Sequence, residues 1–216
     1  MKRTKTALVI IGLLVVFSVF FYFVPIETIL SKIPIIKDFY NNTTLSINSK
    51  NGECSVTING EDYGETPLDL ANLTSGEYTV VLSKVSDSEG FYKEHSFDIY
   101  LAQNTESRID VEIGPNDLLY GVVLYYTAIP KGTEGTGLLT ITSSPLDTEI
   151  EVDGEYLSDS PLSGYELTKG EYSITISKEG YEAVEAPVII REGYHLNVRA
   201  FLLPIPLILE TAEDES

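Results

Sequence analysis

From residue 45 onward, apolar and polar residues alternate in short runs separated by turn signals. "LSINS" (45–49), "CSVTI" (54–58), "EYTVVL" (77–82), "SFDIYL" (96–101) and "RIDVEI" (108–113) each place every second side chain on one apolar face, the pattern of a half-buried β-strand. The same series returns as "LTITS" (139–143), "TEIEV" (148–152), "EYSITI" (171–176), "APVIIR" (186–191) and "HLNVRAFLL" (195–203). Asn59-Gly60 and Asp153-Gly154 tolerate positive φ and predict tight hairpins. Ser75-Gly76 and Lys169-Gly170 mark a further reversal before a Glu-Tyr strand. No segment after residue 40 has a helical period. Short strands with a turn about every 8–12 residues predict an all-β chain, two tandem small antiparallel β-sandwich domains.

The two series are copies of one design. Shifted by 94 residues, 45–84 lies on 139–178 without a gap, and 14 of the 40 positions are identical. The matched pairs include Gly60/Gly154, Pro67/Pro161, Leu68/Leu162, Leu73/Leu167, Gly76/Gly170, Glu77/Glu171, Tyr78/Tyr172 and Lys84/Lys178. The first copy then carries extra residues, "VSDSEG", before Phe91 aligns with Tyr181.

Two apolar runs break the alternation. "DLLYGVVLYYTAIP" (117–130) is too long to leave in water, and is expected to add a strand to the first sandwich or to cover its edge. "KGTEGTG" (131–137) reads as a flexible spacer. "LLPIPLILE" (202–210) carries Pro204 and Pro206, which favour an edge position. The sharper alternative makes both runs an exposed patch for a partner subunit.

The N-terminus has a different character. "ALVIIGLLVVFSVFFYFVPI" is an uncharged run of 20 residues, 7–26, long enough to cross a bilayer as a helix. Lys2, Arg3 and Lys5 flank it without an acidic neighbour, which keeps the N-terminus cytoplasmic, and no small-x-small cleavage site follows. The expected layout is a cytoplasmic N-terminus (1–6), a transmembrane helix acting as an uncleaved signal anchor (7–26), a stalk (27–43), a first sandwich with the extra apolar strand (44–130), the linker (131–137), a second sandwich (138–209) and an acidic tail (210–216). Asn41, Asn42 and Asn72 are glycosylation sequons wherever the organism glycosylates.

Charge narrows the partners. The chain holds 33 acidic and 14 basic residues, a net −19, and because residues 1–43 sum to +3, the remainder carries −22. Such a surface repels phosphate backbones, so nucleic acid is excluded as a partner, and anionic lipid head groups are disfavoured. Cations, basic proteins or neutral glycans remain.

The order strand, Asx-Gly turn, short strand, Thr/Ser-Pro-Leu, Leu-x-x-Gly-Glu-Tyr and a strand ending near Gly-Tyr resembles the PEGA domain. The residues that carry the resemblance are "VDG" (152–154), "SPL" (160–162) and "LTKGEYSITISKEGY" (167–181), with "ING" (58–60), "TPL" (66–68) and "LTSGEYTV" (73–80) in the first copy. The namesake Pro-Glu-Gly-Ala stretch is degenerate, surviving as Pro145 in "PLDT" and as "NGEC". The resemblance implies a β-sandwich of surface-layer and envelope proteins and of membrane-protein ectodomains, without catalytic activity and without ligand residues to transfer.

Chemistry-bearing residues are few. Cys54, the one cysteine, shares a strand face with Val56 and Ile58 and is expected to be a buried, inert thiol. His95 and His195 lie in strand-like segments with no second ligand at zinc-like spacing. Glu61 with Asp62, or Asp153, Glu155 and Asp159, are the candidates for an oxygen-ligated Ca²⁺ site, at a spacing that fits no EF-hand loop. No catalytic, cofactor or metal residue is assigned. The expected function is a non-catalytic, membrane-anchored surface or envelope module that contacts an envelope glycan or a surface-layer or membrane protein. The alternative is an accessory subunit docking through its transmembrane helix and apolar edge strands.

Overall fold

The computed structural model describes residues 42–86, 90–129 and 134–206. The anchor expected at 7–26, the stalk up to residue 41 and the tail at 210–216 lie outside the described residues. One compact unit begins at Thr43. Its first copy supplies β1 (Thr44–Asn48), β2 (Cys54–Ile58), β3 (Glu61–Glu65), β4 (Leu68–Leu70), β5 (Gly76–Lys84), β6 (His95–Leu101) and β7 (Glu106–Ile113). Next comes β8 (Leu119–Ala128). The second copy supplies β9 (Thr136–Ser144), β10 (Glu149–Val152), β11 (Glu155–Asp159), β12 (Leu162–Thr168), β13 (Gly170–Ser177), β14 (Val184–Ile190) and β15 (Tyr194–Phe201).

Each copy forms a small four-stranded sheet, β3-β2-β5-β6 and β11-β10-β13-β14. The remaining strands join in one seven-stranded sheet of order β12-β9-β15-β8-β7-β1-β4. Within it β1 runs parallel to β7, and β9 parallel to β15. The sandwiches are therefore mixed, where the sequence predicted antiparallel ones. A period-two pattern fixes which face a side chain takes and carries no information on strand direction; here the small sheet acts as the crossover that returns each copy's last strand beside its first.

The apolar run between the copies becomes the central strand. β8 pairs antiparallel with β7 and with β15. Its residues alternate between two cores: Val122, Leu124 and Tyr126 join Leu139, Ile141, Ile150, Ile174, Ile176 and Val198 of the second copy. Leu119 and Val123 join Leu45, Ile47, Val56, Val80, Leu82, Ile109 and Val111 of the first. The two small sheets thus cover opposite faces of the shared sheet. A strand buried on both faces reads as a continuous apolar run, and each such side chain contributes about 1.5–3 kcal/mol by leaving water. The run adds a strand to the first sandwich as expected, but it is neither an edge cover nor an exposed patch, because the second copy closes over its other face.

Close backbone approach fixes two glycines. A Cβ on Gly121, at φ +124°, would stand 2.1 Å from the Asp110 carbonyl oxygen of β7. One on Gly137 would stand 2.4 Å from the Arg191 carbonyl oxygen. Thr136 and Gly137 therefore open β9 rather than belonging to a flexible spacer. At the other end β15 stops at Phe201, and Pro204 keeps only an isolated antiparallel bridge to Tyr181.

Candidate functional site

The residues kept in both copies hold the backbone in place. Asn59 and Gly60 have φ of 51° and 82°, and Asp153 and Gly154 have 51° and 79°, the left-handed pair that a two-residue hairpin needs. Asn59 Oδ1 accepts the Thr79 N–H at 2.9 Å, and Asp153 Oδ1 accepts the Ser173 N–H at 2.8 Å. The amide and the acid are interchangeable here because the fold uses only the shared oxygen.

The hydroxyl before each repeat proline is a second fixed point. Thr66 and Ser160 are buried, and each precedes a cis proline, Pro67 and Pro161. Thr66 Oγ1 accepts the Cys54 N–H, and Ser160 Oγ accepts the Thr148 N–H, both at 3.0 Å. In the second copy Ser143, Thr148 and Ser160 form a buried hydroxyl cluster, with Ser143 Oγ 2.5 Å from Ser160 Oγ and donating to the Pro145 carbonyl at 2.7 Å. Cys54 takes the place of Thr148 in the first copy; it is fully buried, with its Sγ 3.4 Å from Ser49 Oγ. Among the described residues, the hydrogen bonds of both clusters run to other hydroxyls and to backbone.

A third fixed point closes the Leu-Thr-x-Gly-Glu-Tyr segment. Tyr78 Oη donates to the Thr74 carbonyl at 2.9 Å, and Tyr172 Oη to the Thr168 carbonyl at 3.0 Å. This is the geometry of a tyrosine corner.

The candidate acids lie on or beside the exposed outer strands of the small sheets, Glu61 and Asp62 on β3, and Glu155 and Asp159 on β11. Asp62 Oδ1 accepts the Gly64 N–H at 2.9 Å, and Asp159 Oδ1 accepts the Tyr156 hydroxyl at 3.2 Å. Among the described residues, no three His, Cys, Asp or Glu side chains converge as metal ligands would. His195 lies within hydrogen-bond distance of Thr140 Oγ1, 2.7 Å across from β15 to β9, and burial lowers its pKa. His95 is half-buried; burial lowers its pKa, with nearby Asp117 opposing and Lys93 adding to the shift.

What the sequence did not mark is a pair of grooves where each small sheet leans across β8 toward the other copy. Arg108 of β7 donates to the Pro187 carbonyl of β14 at 3.2 Å, and Arg199 of β15 donates to the Asp98 carbonyl of β6 at 2.8 Å. Pro187 and Asp98 are structural counterparts, each opposite the same position of the neighbouring strand, Ser173 and Thr79. The arginines are not counterparts: Arg108 pairs with Ser46 and Asn197 with Thr140, its twin, so the place matching Arg108 holds Asn197. Comparison of the copies therefore gives no signal for them. Beside Arg108 lies a cleft of about 290 Å³ lined by Leu124, Tyr126, Glu171, Pro187 and Arg191. Beside Arg199 lies a wider groove of about 660 Å³ lined by Glu77, Thr79, Asp98, Tyr100, Tyr125 and Thr127.

The solved structure titled "The Bacillus anthracis TIE protein" aligns with 75% of this chain and 34% of its own, at 13% identity and a TM-score of 0.25. The chain thus spans about a third of that protein, and the likeness is too slight to define a common fold. No curated protein matches. The family model for the PEGA domain matches residues 42–117 and again 136–204. These segments are the two copies, and they stop on either side of β8, which belongs to neither. The chain is a tandem member of the PEGA domain family.

Proposed function

We propose that this protein is a non-catalytic module held outside the cytoplasm by its N-terminal apolar segment, contacting an envelope component or a protein partner through its β-domains. The observation that carries this reading is what the duplication has kept. The hairpin oxygen, the buried hydroxyl and the tyrosine corner are retained in both copies, and all three bind backbone. Of the candidate acids, Glu61 is matched by Glu155 and Asp159 by Glu65, whereas Asp62 faces Tyr156 and Asp153 faces Asn59, so the set is kept only in part. Membership of a β-module family and the −22 charge after residue 43 support the same reading.

The test is topology. Tags at residues 1 and 216 are probed with protease added to spheroplasts that remain sealed. Loss of the C-terminal tag with retention of the N-terminal one is the expected result, and the reverse pattern overturns the reading.

The accessory-subunit alternative has one observation in its favour. Phe91, Leu118, Leu146 and Ile205 are exposed apolar residues near the ends of the strands. β8 itself offers that alternative no docking edge, since it lies between β7 and β15.

A further inference from the structure

We propose that the groove between β6 and β8 is a binding site for a neutral saccharide, an inference that rests on the surface-module reading above and supplies its ligand class. The groove, about 660 Å³, is broadly open to solvent, so it would hold an extended ligand along one side rather than enclose it. Tyr100 offers a half-buried ring for the apolar face of a pyranose unit, and Tyr125 lines the same groove with its ring and hydroxyl already in contact with Arg199. Asp98, Glu77, Thr79 and Thr127 supply polar groups along the same groove. Asp98 Oδ1 already accepts the Thr79 hydroxyl at 2.7 Å, which orients the carboxylate and leaves Oδ2 to accept a sugar hydroxyl.

Charge selects among ligands. Two lining carboxylates and a surrounding net charge of −22 repel phosphorylated or uronic glycans. The cation-π position at Tyr125 is already taken by the Arg199 guanidinium, 5.3 Å from the ring centre, so an ammonium ligand would have to displace it. A neutral ligand with hydroxyl donors fits both constraints.

The twin cleft shows that this chemistry is not a by-product of the fold. At the positions of Asp98 and Tyr100 the second copy has Pro187 and Ile189. Arg191 lies 5.8 Å from the Tyr126 ring, and the buried Tyr126 donates to the Ile189 carbonyl at 2.7 Å. The same backbone frame thus leaves about 290 Å³, walled by arginine and proline.

The test uses the full chain in lipid nanodiscs and isothermal titration calorimetry. The probes are the neutral tetramers of N-acetylglucosamine, glucose and mannose, with tetragalacturonate as the anionic counterpart. We expect saturable binding of at least one neutral tetramer and none of tetragalacturonate. Asp98→Asn should weaken that binding about tenfold, the loss of one charge-assisted hydrogen bond. Tyr100→Ala should abolish it, and Glu171→Gln in the twin cleft should leave it unchanged. Tyr100 also packs on the second core; if its truncation unfolds the protein, the exposed Asp98 decides the question. Absence of binding by all neutral tetramers overturns the site. So does equal binding of tetragalacturonate, or neutral binding that Asp98→Asn leaves intact. The last outcome keeps the surface-module reading, which only the topology experiment can overturn.

Discussion

Val123 and Leu124 are adjacent on β8, yet their side chains lie in different hydrophobic cores, Val123 in that of the first copy and Leu124 in that of the second. Ten residues outside both matched segments therefore complete two domains at once. Each copy borrows the same strand, and each core includes a face that its own segment does not supply.

Coupling of the two copies follows. The β-unit should unfold in one calorimetric transition rather than two. Val123→Ala and Leu124→Ala should each lower that single transition, by roughly 2–4 kcal/mol for the larger side chain. Two transitions, with each substitution moving only one of them, would contradict the shared strand.

Gly121 should accept no side chain. A Cβ there meets the Asp110 carbonyl oxygen at 2.1 Å, with φ at +124°, so Gly121→Ala must separate β7 from β8 or distort both. A loss on the order of 3 kcal/mol or more is expected from urea titration. Gly60→Ala, where a Cβ meets nothing within 4 Å, should cost only the strain of positive φ, roughly 1 kcal/mol.

The hairpin oxygen predicts a neutral exchange. Asn59→Asp and Asp153→Asn both retain the Oδ1 that accepts a backbone N–H, and should change stability by less than about 0.5 kcal/mol. Asn59→Ala and Asp153→Ala remove the acceptor and should each cost roughly 1–2 kcal/mol. Equal effects of the alanine and the exchange variants in chemical denaturation would show that the oxygen is idle.

The histidines set a pH dependence. Burial depresses both His95 and His195 below 6.5, so the unfolded chain takes up protons first as pH falls. Their stabilising contribution is therefore present above pH 6.5 and is lost as pH falls from there through the lowered folded values. His195→Gln should flatten the decline in melting temperature between about pH 7.5 and 5.5 relative to wild type. A steeper decline in the variant would reverse the sign.

Much of the scaffold was legible because it is local. Alternation placed Cys54, Val56 and Ile58 on one buried face, where all three lie. Asn59-Gly60 and Asp153-Gly154 announced positive φ, and the structure has it at all four positions. The grooves were not legible. Arg108 and Arg199 reach carbonyls 79 and 101 residues away from unmatched positions in the two copies, so neither periodicity nor self-comparison marks them.

The sequence by itself determined most of the strands, the Asx-Gly turns and the duplication, since each depends on side-chain pattern within a few positions, and it left residues 117–130 open between an added strand, an edge cover and an exposed patch. Only the tertiary structure decided which strands are neighbours. Pairing is made by backbone N–H and C=O groups that nearly every residue carries alike, so an apolar run does not state what covers its faces. For β8 the answer is one copy on each face, and that arrangement leaves a groove beside Asp98 and Tyr100 in place of two free-standing modules.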